Sequence, residues 1–216
     1  MHPRTAARFW HGATLGIGVF ALLVQSILAV SGASVLVEEE PPTLGERIVR
    51  LAGYFTIQAN VLVVVMAFTL VRNPARDGRI WRVLRLDAVV GITVTMIIHW
   101  FFLRPLLDLA GWSYLCDKLL HVVVPLLAVL GWLFFGPRPR VTIRVVLLGL
   151  IWPAAWLAYT LIRGVATGWY PYPFLDLAVL GGARVAIASL AITGLILVVS
   201  LLVWLADQRL PVRFRR

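Results

Sequence analysis

The chain contains one cysteine, Cys116, one lysine, Lys118, and ten acidic residues in 216. A single cysteine excludes an internal disulfide framework and any cysteine-based zinc or iron–sulfur cluster. Charged residues are also scarce, at 14%, where soluble domains carry about 25%. What fills the space is apolar: 61% of the residues are hydrophobic and the mean hydropathy is +0.90. A soluble domain of this length has too little interior to hide that much apolar surface, so the composition indicates an all-α, multi-span membrane protein. The net charge of +10 does not indicate nucleic acid, because the arginines sit in short segments between apolar runs, where they set topology. Lipids are the partners this composition predicts.

A bilayer core of about 30 Å requires about 20 apolar residues per helix. Six runs meet that length: roughly 12–37, 51–71, 86–104, 118–135, 141–162 and 181–205. They form one six-helix domain over 1–216, with no internal repeat. Arginines alternate between the loops. Arg4 and Arg8, the 72–85 segment, the 138–144 segment and the C-terminal segment from Arg209 to Arg216 hold 14 of the 20 basic residues. Glu38, Glu39, Glu40, Glu46, Asp108, Asp117 and Asp176 fall in the opposite loops. The positive-inside rule then predicts cytoplasmic termini and three outward loops. The first run, with Arg4 and Arg8 before it and Ser31-Gly32-Ala33-Ser34 after it, imitates a signal peptide. Its length and the charge alternation favour a retained helix.

Ionisable groups within spans are costly, so each is a functional candidate. On this topology His99 lies about five residues, ~8 Å, below the outer boundary of the third span. Thr56 enters the second span to a similar depth, and His121 is about three residues deep in the fourth. Thr56 and Asn60 share a helix face, as do Asp117, His121 and Pro125. Pro125 withholds the backbone hydrogen bond that the carbonyl of His121 would receive. Each feature has an ordinary reading too. A threonine in a membrane helix commonly bonds back to its own backbone. A histidine near the interface is commonly solvated. Trp112, Tyr114, Trp169, Tyr170 and Tyr172 suit an interfacial belt. The loop Thr167-Gly168-Trp169-Tyr170-Pro171-Tyr172-Pro173-Phe174-Leu175-Asp176 is less ordinary. Two X-Pro steps hold it extended, and its large side chains predict that it packs over the bundle mouth or enters it.

At these residues the sequence resembles a known family, the androgen-induced six-helix membrane proteins, and within it a bacterial, proline-containing branch. The resemblance is carried by Tyr54 to Asn60, by His99 through Arg104-Pro105, and by Asp117 to Pro125 with Trp132 to Arg138. The 168–176 loop and Gly182-Ala183-Arg184 complete it. It implies a bacterial inner-membrane protein. Animal members are threonine hydrolases that cleave fatty acid esters of hydroxy fatty acids, and their essential threonine and histidine correspond to Thr56 and His121.

The chemistry can be drawn from the residues. A threonine hydroxyl needs a base within hydrogen-bond reach, and His121 is that base and later the acid for the leaving alkoxide. Asp117 orients the imidazole, Asn60 donates to the oxyanion, and His99 supports the group. Arg104 or Arg184 receives a lipid carboxylate, with Trp169 and Tyr172 over the mouth. This reading needs no metal and no cofactor. Two alternatives stay open. One is a non-catalytic lipid-binding or transport protein. The other is a b-type haem protein with His99 and His121 as axial ligands and Trp100, Phe101 and Phe102 packing the porphyrin.

Single cysteines placed in 38–47 or 165–175 are expected to react with an impermeant reagent outside intact cells, and those in 74–80 to stay unreactive. Labelling of 74–80 from outside would invert the topology.

Overall fold

The structure is a computed structural model that describes residues 2–32 and 41–211. Ala33, Ser34, the acidic run Glu38–Glu40 and the terminal Arg213, Arg215 and Arg216 lie outside the described residues. Regular structure is helical: α1 (Pro3–Val30), α2 (Leu44–Gly53), α3 (Phe55–Arg72), α4 (Arg79–Ile98), α5 (Gly111–Lys118), α6 (Val124–Phe135), α7 (Ile143–Gly149), α8 (Ile151–Thr167) and α9 (Leu177–Arg209). Among the described residues six continuous helical stretches are long and apolar enough to cross a membrane. In four of them short breaks interrupt or bend the helix.

The breaks follow from proline and glycine. Pro153 lies four residues beyond Gly149, so its ring disturbs that carbonyl, and the chain steps from α7 to α8 there. Gly181, with φ +73°, bends α9 near its start, a backbone conformation that glycine adopts without strain. The spans differ from the hydropathy reading at their ends. The third extends back to Arg79, the fourth back to Gly111 and the fifth on to Thr167. The segment ahead of the second span is a separate helix, α2. It starts on a capping box in which Thr43 and Glu46 each bond the other's backbone, a pattern written in the sequence as Thr-x-x-Glu.

The bundle has two chemically different ends. At one, the arginine-bearing segments meet. Asp77 holds Arg82 at 2.7 and 2.8 Å and faces Arg140 Nε at 3.3 Å. Buried Asp207 accepts the backbone N–H groups of Arg140 and Val141 at 2.6 and 2.7 Å. Arg85 and Arg138 are not solvated loop residues as their positions suggest. Both are buried. Arg85 donates to the carbonyl of Pro137 at 2.8 Å, and Arg138 donates to those of Trp132 and Leu133. They therefore bind the carbonyl-rich C-terminal end of α6, where a helix favours cations. A Cβ on Gly136 would come within 1.9 Å of Arg85 Nη2, so this latch requires glycine. The apolar core runs inward from here through Leu86, Val90, Val145 and Val199, and through Ala59, Val63, Ala88 and Ile92 between α3 and α4.

Hydrogen bonds from Arg82 hold the Asp77 carboxyl below the usual carboxylate range. The stability Asp77 adds is therefore complete above the unfolded-chain value of about 3.9 and is lost as pH falls through the lower folded value. Thermal unfolding in detergent is expected to show the parent losing stability below about pH 4, with Asp77→Asn less stable at neutral pH and flatter across that acid limb. An unchanged acid limb in Asp77→Asn would assign the loss to another carboxylate.

Candidate active site

The other end of the bundle gathers the polar side chains. It is built on two prolines. Pro105 and Pro125 each stand six residues after the start of a wide helical turn, His99–Leu103 in one case and Leu119–Val123 in the other. In both turns the backbone widens to i→i−5 bonding. Arg104 N–H reaches the carbonyl of His99, and Val124 N–H reaches that of Leu119. The cause is the proline ring, which has no N–H and crowds the carbonyl four residues back. Such π turns recur at functional sites.

The widened turn leaves the carbonyl of Leu120 without a backbone donor. The α-type donor for Leu120 is Val124, whose N–H is taken by Leu119, and the π-type donor would be Pro125. That carbonyl stands one residue before the His121 carbonyl that a simple proline kink would strand. Asn60 answers it. This fully buried amide donates to Leu120 O at 3.3 Å and to Thr56 O at 2.8 Å. One side chain therefore ties the start of α3, which carries Thr56, to the turn that carries His121. Both amide protons are committed, so Asn60 is not the oxyanion donor that its spacing from Thr56 suggests.

Across the two π turns, Asp117 stands between the histidines. Its Oδ1 lies 3.1 Å from His99 Nε2 and 3.1 Å from His121 Nδ1. His121 Nδ1 also lies 3.0 Å from the backbone carbonyl of Asp117, which fixes the proton on Nδ1 and leaves Nε2 with the lone pair. The two rings stack face to face, with centroids 3.7 Å apart and planes 11° apart. His99 and Asp117 are buried and His121 is partly exposed. One atom from each of the three residues lies within 4.8 Å of the others, a grouping with the residue types of a metal site. It is not a haem site. Axial histidines present nitrogens to opposite faces of a porphyrin, and face-stacked rings leave no space for that plane. Trp100, Phe101 and Phe102 are 54%, 68% and 61% exposed, so they do not wall a haem pocket either.

Thr56 occupies the second position of α3, where the backbone N–H has no partner within the helix. The partner comes from the 167–176 loop. The buried phenol oxygen of Tyr172 accepts the Thr56 N–H at 3.2 Å and lies 3.3 Å from Thr56 Oγ1. Tyr172 is packed among Tyr54, Trp156 and Phe174. Burial pushes its phenol above the usual value, so it remains a neutral O–H. The loop does enter the bundle: Leu175 is 1% exposed, and Tyr170 lies so close over α8 that a Cβ on Gly164 would meet its ring at 1.9 Å. Trp169 stays nearer the surface, with Arg50 and Arg163 over its ring at 5.2 and 4.8 Å.

The predicted residues thus fall into two linked groups, Thr56–Asn60–Tyr172 and His99–Asp117–His121. Among the described residues no hydrogen bond joins Thr56 to His121. Arg104 turns its guanidinium to the carbonyl of Leu107 at 2.9 Å. Arg184 is exposed on α9, and neither arginine bonds to the two groups. Spacing did not reveal the Tyr172–Thr56 contact, which spans 116 residues. The aromatic, proline-fixed loop was the available signal. No family model, no curated protein and no solved structure matches the chain.

If Asn60 serves the Leu120 carbonyl, its value depends on Pro125. Asn60→Ala is expected to cost about 1–3 kcal/mol in the parent. It should cost less than half of that in Pro125→Ala, where an α-type register returns Val124 N–H to Leu120. Equal costs in a thermal-unfolding double-mutant cycle would refute the link.

Proposed function

We propose that the protein is a membrane-embedded hydrolase of lipid esters, of the fatty acid ester of hydroxy fatty acid type, with Thr56 as nucleophile and His121 as general base. The observation that supports this most is the oriented imidazole. Asp117 engages His121 Nδ1 from both its carboxylate and its backbone, leaving Nε2 free to take a proton, as in a nucleophile–base–acid relay. Asn60 holds the threonine helix against the same turn. Membership of the threonine hydrolase family is part of this proposal and rests on the sequence resemblance.

In the proposed reaction Thr56 Oγ1 attacks the acyl carbon as its proton passes to His121 Nε2. The alkoxide leaves with that proton, giving a hydroxy fatty acid and an acyl-threonine. Water then attacks the acyl carbon, again losing a proton to His121, and the fatty acid and the free Thr56 hydroxyl are regenerated. Tyr172 replaces Asn60 as the oxyanion donor beside Thr56. Its oxygen is held by a backbone N–H, and its own proton points away from that bond. Catalytic contacts commonly close only on substrate binding, and closure here brings Thr56 and His121 together. A lipid ester enters from the bilayer while water arrives from the loop end.

The Tyr172–Thr56 bond taken alone favours a second reading, a non-catalytic lipid-binding protein in which Tyr172 merely caps α3. Activity separates the two. Thr56→Ala and His121→Ala are each expected to abolish ester hydrolysis and fluorophosphonate labelling, with the double variant no worse than either, because nucleophile and base act as a unit. Thr56→Ser should retain part of the rate, and Tyr172→Phe should lose roughly 10²–10³-fold in kcat. Hydrolysis at the parent rate by a stably folded Thr56→Ala would leave the binding reading.

A further inference from the structure

We propose that His99, Asp117 and His121 bind one divalent metal ion of the zinc class. The first argument is unmet demand. Asp117 Oδ2 is buried with no hydrogen-bond partner, and so is His99 Nε2. The latter lies 3.1 Å from Asp117 Oδ1, yet its N–H direction misses the line of a hydrogen bond. Close approach without a directed bond is what donors show when they converge on a common point rather than on each other. A carboxylate within a span is costly unless its charge is balanced, and a cation held by Asp117 balances that charge while taking the lone pair of His99 Nε2.

The second argument is geometric. Donors held about 2.0–2.2 Å from zinc are separated by roughly 3.3–3.5 Å at the tetrahedral angle, close to the two 3.1 Å separations here. The third is donor chemistry. Two imidazoles and one carboxylate suit zinc and its first-row neighbours, and are too nitrogen-rich for calcium or magnesium. Cys116 takes no part, because its thiol is turned to the carbonyl of Ala21 at 3.3 Å. The fourth is preorganisation. Both histidines sit on proline-enforced π turns, which aim them across the gap between the third and fourth spans.

One movement is required. Stacked rings carry parallel lone pairs, so one ring must turn for both to reach a single ion. His121 is the ring with room, its side chain being 15% exposed against 2% for His99. The site then has three protein ligands and an open position facing the loop end, the pattern of an accessible rather than a closed zinc site.

This inference goes beyond the hydrolase reading and is separable from it. A metal on His121 Nδ1 displaces the proton that the hydrolase reading keeps there in the bond to the Asp117 carbonyl and moves it to Nε2, which then is no longer a base, so together the two make zinc an inhibitor of hydrolysis. The test uses full-length protein, purified in detergent without a polyhistidine tag. It carries His2→Ala to remove an exposed histidine, is stripped with chelator, and is titrated with Zn²⁺ by calorimetry and with Co²⁺ by visible absorption. One ion per chain is expected. His99→Gln and Asp117→Asn should each weaken binding about 10–100-fold, and Thr56→Ala should leave it unchanged whether or not it hydrolyses esters. Should Asp117→Asn fail to fold, His99→Gln and the parent titration decide. Absence of one-per-chain binding in the parent, or undiminished affinity in a folded His99→Gln or Asp117→Asn, would overturn the proposal.

Discussion

Within a bilayer no water is present to receive a stranded carbonyl, and that constraint organises this molecule. Pro125 strands the carbonyl of Leu120, and only a side chain can answer it. Asn60 does so from the neighbouring helix. The bond relieves a local backbone fault and fixes α3 against the fourth span. The π turns have the same origin. By widening the helix ahead of Pro105 and Pro125, they rotate His99 and His121 toward Asp117.

The two ends of the bundle use different chemistry for the same need. At the arginine-rich end, cations and carboxylates satisfy helix ends directly. Arg85 and Arg138 take carbonyls at the end of α6, and Asp207 takes amides ahead of α7. At the other end a neutral phenol, Tyr172, caps α3, and the buried carboxylate of Asp117 faces two imidazoles. Buried polar atoms without a hydrogen bond occur at both ends, on Arg85 and Asp207 at the first and on Asn60, Asp117 and His99 at the second.

Much was legible in the sequence because lipid imposes simple rules. Composition and run length determined an all-helical, six-span chain, since only helices satisfy their own backbone in hydrocarbon and each must be about 20 residues long. Periodicity determined that Thr56 shares a face with Asn60, and Asp117 with His121, since positions four apart on a helix are neighbours. Pro125 marked where the fourth span would deform.

Tertiary structure alone decided which groups meet across helices, because those contacts depend on the rotation and tilt of each helix, which hydropathy does not encode. It paired Tyr172 with Thr56 and stacked His99 on His121, a geometry that closes the haem alternative. It also committed both Asn60 protons and buried arginines that the sequence places in loops. The bond from Asn60 to the stranded carbonyl of Leu120 is the smallest of these decisions and the most instructive. A proline's presence is written in the sequence. That the fourth span widens rather than kinks, and that Asn60 stands where the stranded carbonyl emerges, is seen only in the packed helices.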